Sequence, residues 1–157
     1  MSKIAFLGLG VMGFPMAGHL STKFEVTVYN RTVSKAEKWM SQYTGKLAMT
    51  PAEAAKNADF VFSCVGNDDD LKSILLGGDG ALESMKEGAL FTDHTTCSAK
   101  VTKELVAYSH KKGIGFVDAP VSGGQAGAEN GQLTVMCGGT QEHYDRIKPV
   151  ISHYAKF

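Results

Sequence analysis

Residues 4–13 read Ile-Ala-Phe-Leu-Gly-Leu-Gly-Val-Met-Gly, an apolar strand pattern running directly into Gly8-x-Gly10-x-x-Gly13, with a helical pattern behind it. Strand, glycine turn and helix in that order are the fingerprint of a dinucleotide-binding βαβ unit. Gly8 permits the tight turn out of the strand. Gly10 lets the backbone approach a pyrophosphate with no Cβ in the way, and Gly13 lets the helix pack closely on the sheet. Leu9, Val11 and Met12 share that turn. The helix N-terminus behind it offers unpaired N–H groups and the positive end of a dipole to an anion.

A glycine turn alone is a weak signal, and the next twenty residues strengthen it. Pro15 falls in the first helical turn, where its missing N–H costs little. Met12, Met16 and Leu20 recur at i, i+4 and i+8 as one buried helical stripe. Phe24, Val26 and Val28 then alternate as a strand that ends at Tyr29 and Asn30. Residues 4–30 therefore have the size expected of one βαβ unit, about 30 residues.

The end of the second strand bears on the cofactor. NAD-preferring sites place Asp or Glu there, about 20 residues after the glycine turn, to bond the ribose 2′-OH. This chain has Asn30-Arg31-Thr32 and no acid. A guanidinium matches a 2′-phosphate with two charge-assisted bonds, and the Thr32 hydroxyl adds a donor. The sequence thus favours NADP(H) over NAD(H). Thr32 also stands where the next helix needs a cap, a role compatible with phosphate binding.

With 157 residues the chain is long enough for one domain with a proper core and short for two. Sixteen basic and sixteen acidic residues balance, which argues against a nucleic-acid or membrane-surface partner. No apolar run reaches the length of a membrane span. Cys64, Cys97 and Cys137 lie far apart without metal-ligand spacing, so free thiols in a reducing cytoplasm and no metal site are expected.

Strand and helix patterns alternate to the end of the chain. Residues 33–44 carry Ala36, Trp39, Met40 and Tyr43 at helical spacing. Thr50-Pro51-Ala52-Glu53 is a capping box. Phe60–Val65 is an apolar run suited to a strand buried on both faces. Residues 67–76 read as a helix with acids in its first turn. Residues 89–93 form the next strand, and Ser98 caps a helix to Lys112 with Val101, Leu105 and Tyr108 facing the core. Residues 114–119 and 133–137 are further strands. Thr140 caps a last helix that Pro149 kinks or ends. The pattern predicts an α/β, Rossmann-like, doubly wound and mostly parallel sheet with helices on both faces.

The carboxyl ends of such strands lie on one rim. They carry Gly8-Leu9-Gly10, Asn30-Arg31-Thr32, Val65-Gly66-Asn67, Asp93–Thr96 and Pro120–Gly124. These stretches resemble the NADP-binding domain of the 3-hydroxyisobutyrate dehydrogenase family, the β-hydroxyacid dehydrogenases related to 6-phosphogluconate dehydrogenase. The matching segments are GLGVMGFPMAGHL from Gly8, NRT from Asn30, DHTTCSA from Asp93 and DAPVSGGQAGAENGQLTVMCGG from Asp118. The resemblance implies that Val65, Gly66 and Asn67 lie near the nicotinamide ribose and Thr96 near the reactive end of the cofactor. It implies that Ser122, Gly123 and Gly124 hold a substrate carboxylate; a hydroxyl and glycine N–H groups suit a neutral anion cradle. Ala99 departs from the family, which often has Pro there.

Members of the resembled family continue into an all-helical domain that carries a general acid/base lysine and builds the homo-oligomer. This chain stops at Phe157. The expectation is a 1–157 NADP-binding domain without that helical domain or its lysine. Apolar surface is then expected to be uncovered along the last helix, at Tyr144, Ile147, Ile151 and Tyr154. Within the chain no residue reads as catalytic. His94 reads as a local hydrogen-bonding group, Asp93 and Asp118 as turn groups, Lys156 as an ordinary terminal lysine. His19, His110, His143 and His153 read as solvated. The implied activity is hydride transfer between NADP(H) and a small 3-hydroxy acid or its semialdehyde. A scaffold module that binds NADP without catalysis, and an imine reductase-type relative, remain open alternatives.

Overall fold

The computed structural model describes residues 2–156. Its main sheet holds β1 (Lys3–Leu7), β2 (Glu25–Tyr29), β3 (Lys46–Leu47), β4 (Phe60–Ser63), β5 (Leu90–Asp93) and β6 (Gly115–Asp118), in the order β3-β2-β1-β4-β5-β6. Every neighbouring pair is parallel. The order reverses between β1 and β4, and in open α/β sheets the crevice outside that point is where ligands bind. The register keeps the strand ends level: Leu7 pairs with Tyr29 and Ser63, Ser63 with Asp93, and Asp93 with Asp118. The loops after these strands therefore emerge along one rim, as the sequence predicts.

Eight helices are described: α1 (Gly13–Ser21), α2 (Val33–Gln42), α3 (Pro51–Ala55), α4 (Asp68–Leu75), α5 (Ala81–Ser84), α6 (Ala99–Lys111), α7 (Gly124–Glu129) and α8 (Gln141–Ile151). None of the described helices is long and apolar enough to cross a membrane. Four start where a side-chain oxygen captures a backbone N–H: Thr50 from Glu53 at 3.0 Å, Asn67 from Asp70 at 2.9 Å, Ser98 from Val101 at 3.2 Å, and Thr140 from His143 at 3.1 Å. Each bond satisfies a donor that the first helical turn leaves orphaned. The Glu53 carboxylate of the capping box accepts from the Met49 N–H rather than from Thr50.

Side chains alternate across the sheet and fill two separate cores. Ile4 and Phe6 of β1 join Met16 and Leu20 of α1, Trp39 of α2 and Ile147 and Ile151 of α8 on one face. Ala5 and Leu7 join Leu71 and Leu75 of α4 and Val101 and Leu105 of α6 on the other.

The structure corrects several expectations. Residues 133–137 are not a strand of the main sheet. Only β8 (Thr134–Val135) forms, and it pairs antiparallel with β7 (Val121–Ser122) in a separate ribbon. Thr134 and Met136 are exposed, so this stretch presents one side to solvent instead of lying inside a parallel layer buried on both faces. Tyr108 is half exposed, and the buried position one residue on is Ser109, whose hydroxyl returns to the Leu105 carbonyl at 2.8 Å. Helix α8 continues through Pro149 to Ile151. Ile147, Ile151 and Tyr154 are fully buried within this chain, so the apolar face of α8 is spent on its own sheet rather than left uncovered. His19 is not simply solvated: its Nε2 lies 2.9 Å from the Ala128 carbonyl and ties α1 to α7. His143 packs against Gly115, where an added Cβ would come within 2.7 Å of its Nε2, and His153 meets the Phe24 ring edge-on.

Candidate dinucleotide-binding groove

At the reversal point the rim opens into a cavity of about 370 Å³. Gly8 through Gly13 form one wall, Asn30, Arg31 and Thr32 one end, and Val65 and Gly66 the facing wall. The structure thus brings most of the sequence-predicted cofactor residues together. It does not bring all. Asn67 is turned to capping α4, and Thr96 is exposed outside the cavity. Ser122, Gly123 and Gly124 are exposed at β7 and the start of α7, also outside it. Gly123 and Gly124 have φ of +131° and +64°, values that favour glycine, so this turn requires them for its own conformation.

The three glycines of the turn differ in what they avoid. A Cβ on Gly8 would strike the Cys64 carbonyl, and one on Gly13 would strike the Gly8 carbonyl and come within 3.1 Å of the Phe6 ring. These two are needed for the chain to close on itself. A Cβ on Gly10 would meet nothing within 4 Å, because Gly10 faces the cavity. Beside it the N–H groups of Gly10, Val11 and Met12 have no acceptor among the described residues. The Leu9 N–H is occupied, donating to Asn30 Oδ1 at 2.9 Å, while Asn30 Nδ2 donates to the Thr32 carbonyl at 3.0 Å. One amide thus joins the glycine turn to the Arg31 turn.

The other end of the cavity is a second helix start. Thr32 precedes α2, yet its hydroxyl makes no capping bond, and no acid occupies the first turn. Arg31 and Lys35 flank it, and both line the cavity. An uncapped helix N-terminus of ten residues with two cations and a free hydroxyl suits a phosphate. Arg31 is 83% exposed along its side chain, and its Nη1 rests 3.2 Å from Asp70 Oδ1 on α4. Sequence reasoning misses Lys35 and Asp70. Lys35 stands one helical turn beyond Arg31, a spacing that could have found it; Asp70 is 39 residues away and has no local signal.

Beyond Val65 the rim carries a buried polar network. The Asp93 carboxylate accepts from Ser63 Oγ at 2.8 Å and the Thr95 N–H at 2.9 Å, and Thr95 Oγ1 accepts from the Val65 N–H at 3.0 Å. Burial raises the Asp93 carboxyl above its ordinary range against those hydrogen bonds. His94 donates from Nδ1 to the Ala119 carbonyl at 2.7 Å, which leaves Nε2 to accept from the Tyr154 hydroxyl at 2.6 Å. Burial pushes this imidazole down to about 4, with the Ala119 bond opposing. His94 is therefore a neutral group that links the end of β5 to Ala119 and Tyr154 by local hydrogen bonds, as its sequence context suggests. Asp93, Cys97 and Asp118 place potential ligand atoms within 4.8 Å of one another. The thiol there is raised by burial to about 11 and bonded to Thr102 Oγ1 at 3.1 Å.

A parallel sheet in this strand order, with a glycine turn at its reversal point and an anion-ready groove beside it, defines a Rossmann-type dinucleotide-binding domain. Residues 3–157 match the family model of the NAD binding domain of 6-phosphogluconate dehydrogenase. The chain belongs to that family. An uncharacterized oxidoreductase of Shewanella frigidimarina is 60% identical over 157 residues, covering 99% of this chain and 54% of that protein. The Mycobacterium tuberculosis 3-hydroxyisobutyrate dehydrogenase, solved with L-serine, superposes with a TM-score of 0.92 at 30% identity, over 99% of this chain and 52% of that one. Psf3, solved with NADP+ and 2-OPP, superposes with a TM-score of 0.90 at 27% identity, over 97% of this chain and 54% of that one. The chain spans about half the length of the curated relatives it matches.

Proposed function

We propose that this chain is the NADP(H)-binding domain of an oxidoreductase that moves a hydride between the nicotinamide cofactor and a small 3-hydroxy acid or its semialdehyde. The observation that carries the NADP(H) preference is the α2 end of the groove: Arg31, Lys35 and an unused Thr32 hydroxyl around an uncapped helix start, with no acid at the end of β2. The open face of Gly10 and the free N–H groups beside it receive the pyrophosphate. The neighbour solved with NADP+ supports the same choice.

The cofactor supplies the hydride chemistry, and the chain's own residues bind and orient it. Val65 and Gly66 wall the groove toward the nicotinamide end, and Thr96 lies further along the same rim. Ser122, Gly123 and Gly124 serve the substrate carboxylate from the exposed turn at β7, reaching it once a further part of the protein closes over the rim. Turnover also needs a proton donor at the reacting oxygen. His94 has both ring nitrogens engaged and Asp93 is buried under three hydrogen bonds, so neither serves. The donor is the lysine of the helical domain implied by the family resemblance, and the 157-residue chain binds cofactor without reducing small semialdehydes.

Titration of the chain with NADPH and NADH tests this. NADPH binds more tightly, and Arg31→Ala narrows the preference by roughly tenfold or more, the loss of a charge-assisted pair being worth about 1.5–3 kcal/mol. Equal affinities in the wild type refute the NADP(H) assignment, and ordinary turnover of a semialdehyde by the purified chain refutes the assignment of the donor.

A further inference from the structure

We infer that Asp70 sets how strongly the groove prefers NADPH over NADH, by competing with the 2′-phosphate for Arg31. The inference rests on the proposed reading of the α2 end as the 2′-phosphate site.

Three acids open α4: Asp68, Asp69 and Asp70. Asp68 is engaged elsewhere, accepting from the Ser98 N–H at 2.9 Å. Only Asp70 of the three lines the groove, and it reaches across to the Arg31 guanidinium at 3.2 Å. An acid that is missing from the end of β2 is thus delivered from the opposite wall. Its placement is fixed while that of its partner is not. The Asp70 backbone N–H is held by Asn67 Oδ1 at 2.9 Å, and its carboxylate lies under Gly66, where an added Cβ would come within 3.3 Å of Oδ2. The Asp70 side chain is 28% exposed against 83% for Arg31. When an anion enters, the guanidinium moves and the carboxylate stays.

A phosphate and a carboxylate bonded to one guanidinium stand about 7 Å apart or less, within the Debye length of about 10 Å at 0.1 M salt. A 2′-phosphate carries close to two charges and meets that repulsion; a ribose 2′-hydroxyl carries none, and it can donate to a carboxylate. Asp70 therefore penalises NADPH alone. Arg31, Thr32 and Lys35 still set the sign of the preference, and Asp70 limits its size.

The test is titration of wild type, Asp70→Asn, Asp70→Ser and Asp70→Glu with NADPH and NADH at low and high salt, with circular dichroism to confirm folding. Neutralising the charge should raise the NADPH:NADH affinity ratio about three- to tenfold at low ionic strength. The increase should shrink toward unity near 1 M salt, where the Debye length falls to about 3 Å. Asp70→Glu keeps the charge and should keep the wild-type ratio within about twofold. A helix-capping role alone would shift both affinities together and leave the ratio unmoved. If the wild type prefers NADPH and the neutral variants show the same ratio, this inference falls and the groove assignment stands. If the wild type binds neither cofactor, both fall.

Discussion

Lowering the pH should unfold this chain through His94, by an amount the structure allows to be estimated. The imidazole is fully buried in its neutral form, with Nδ1 donating to the Ala119 carbonyl and Nε2 accepting from the Tyr154 hydroxyl. A proton on Nε2 would place a charge in a buried site and force the Tyr154 hydroxyl to turn from donor to acceptor. In the unfolded chain the same group titrates near 6.5; in the fold it is held at about 4. Between those values the unfolded state binds the proton and the folded state does not, so stability falls as pH falls through that window. The drop from 6.5 to about 4, at about 1.4 kcal/mol per pH unit, is worth about 3 kcal/mol. That is a large share of the roughly 5–15 kcal/mol typical of a domain. Asp93 and Asp118, raised by burial, act with the opposite sign at the acid end, which is why the comparison must be with a variant. Urea titrations followed by the single, fully buried Trp39 at pH 7.5, 6.5, 5.5 and 4.5 measure the slope. His94→Gln should start less stable at neutral pH and lose less on acidification. Parallel stability–pH curves for the two proteins would refute the argument.

Two further outcomes are expected. Gly13→Ala should destabilise the fold by about 1–3 kcal/mol through its collision with the Gly8 carbonyl, whereas Gly10→Ala should leave the thermal midpoint unchanged and weaken NADPH binding at least about tenfold; differential scanning fluorimetry with and without NADPH separates them. Thr140→Ala should cost about 1 kcal/mol in urea unfolding by removing the cap of α8 without altering cofactor affinity.

What is legible in the sequence is local. The glycine turn, the caps Thr50, Ser98 and Thr140 and the buried Met16 and Leu20 of α1 each depend on residues within one turn of each other, and the structure keeps them, whereas Thr32 makes no capping bond and Asn67, read as a cofactor residue, caps α4 instead. The α6 stripe is misread at its far end because Tyr108 and Ser109 are neighbours in sequence, and a large aromatic is favoured over a hydroxyl that satisfies itself on the preceding turn. The burial of Ile147, Ile151 and Tyr154 depends on β6 and β1, far away in the chain, so an apolar helix can be read but not what covers it. The two-residue strands β3 and β8 and the four-residue helix α5 are shorter than any period can reveal. In the groove, Arg31 and Thr32 are visible because they come directly after a strand. Asp70 is hidden among three acids that all look like helix-dipole charges, and only the fold singles one out.

Asn30 spends its two ends on two different loops: its oxygen holds the Leu9 N–H and its amide holds the Thr32 carbonyl. The consequence is entropic. Two connections that could each wander are locked into a single frame before anything arrives, so a ligand long enough to touch both finds its contacts at a set separation. The backbone freedom of these two turns that binding would otherwise remove has been removed by folding, and that cost falls on the stability of the fold instead of on the affinity of the complex.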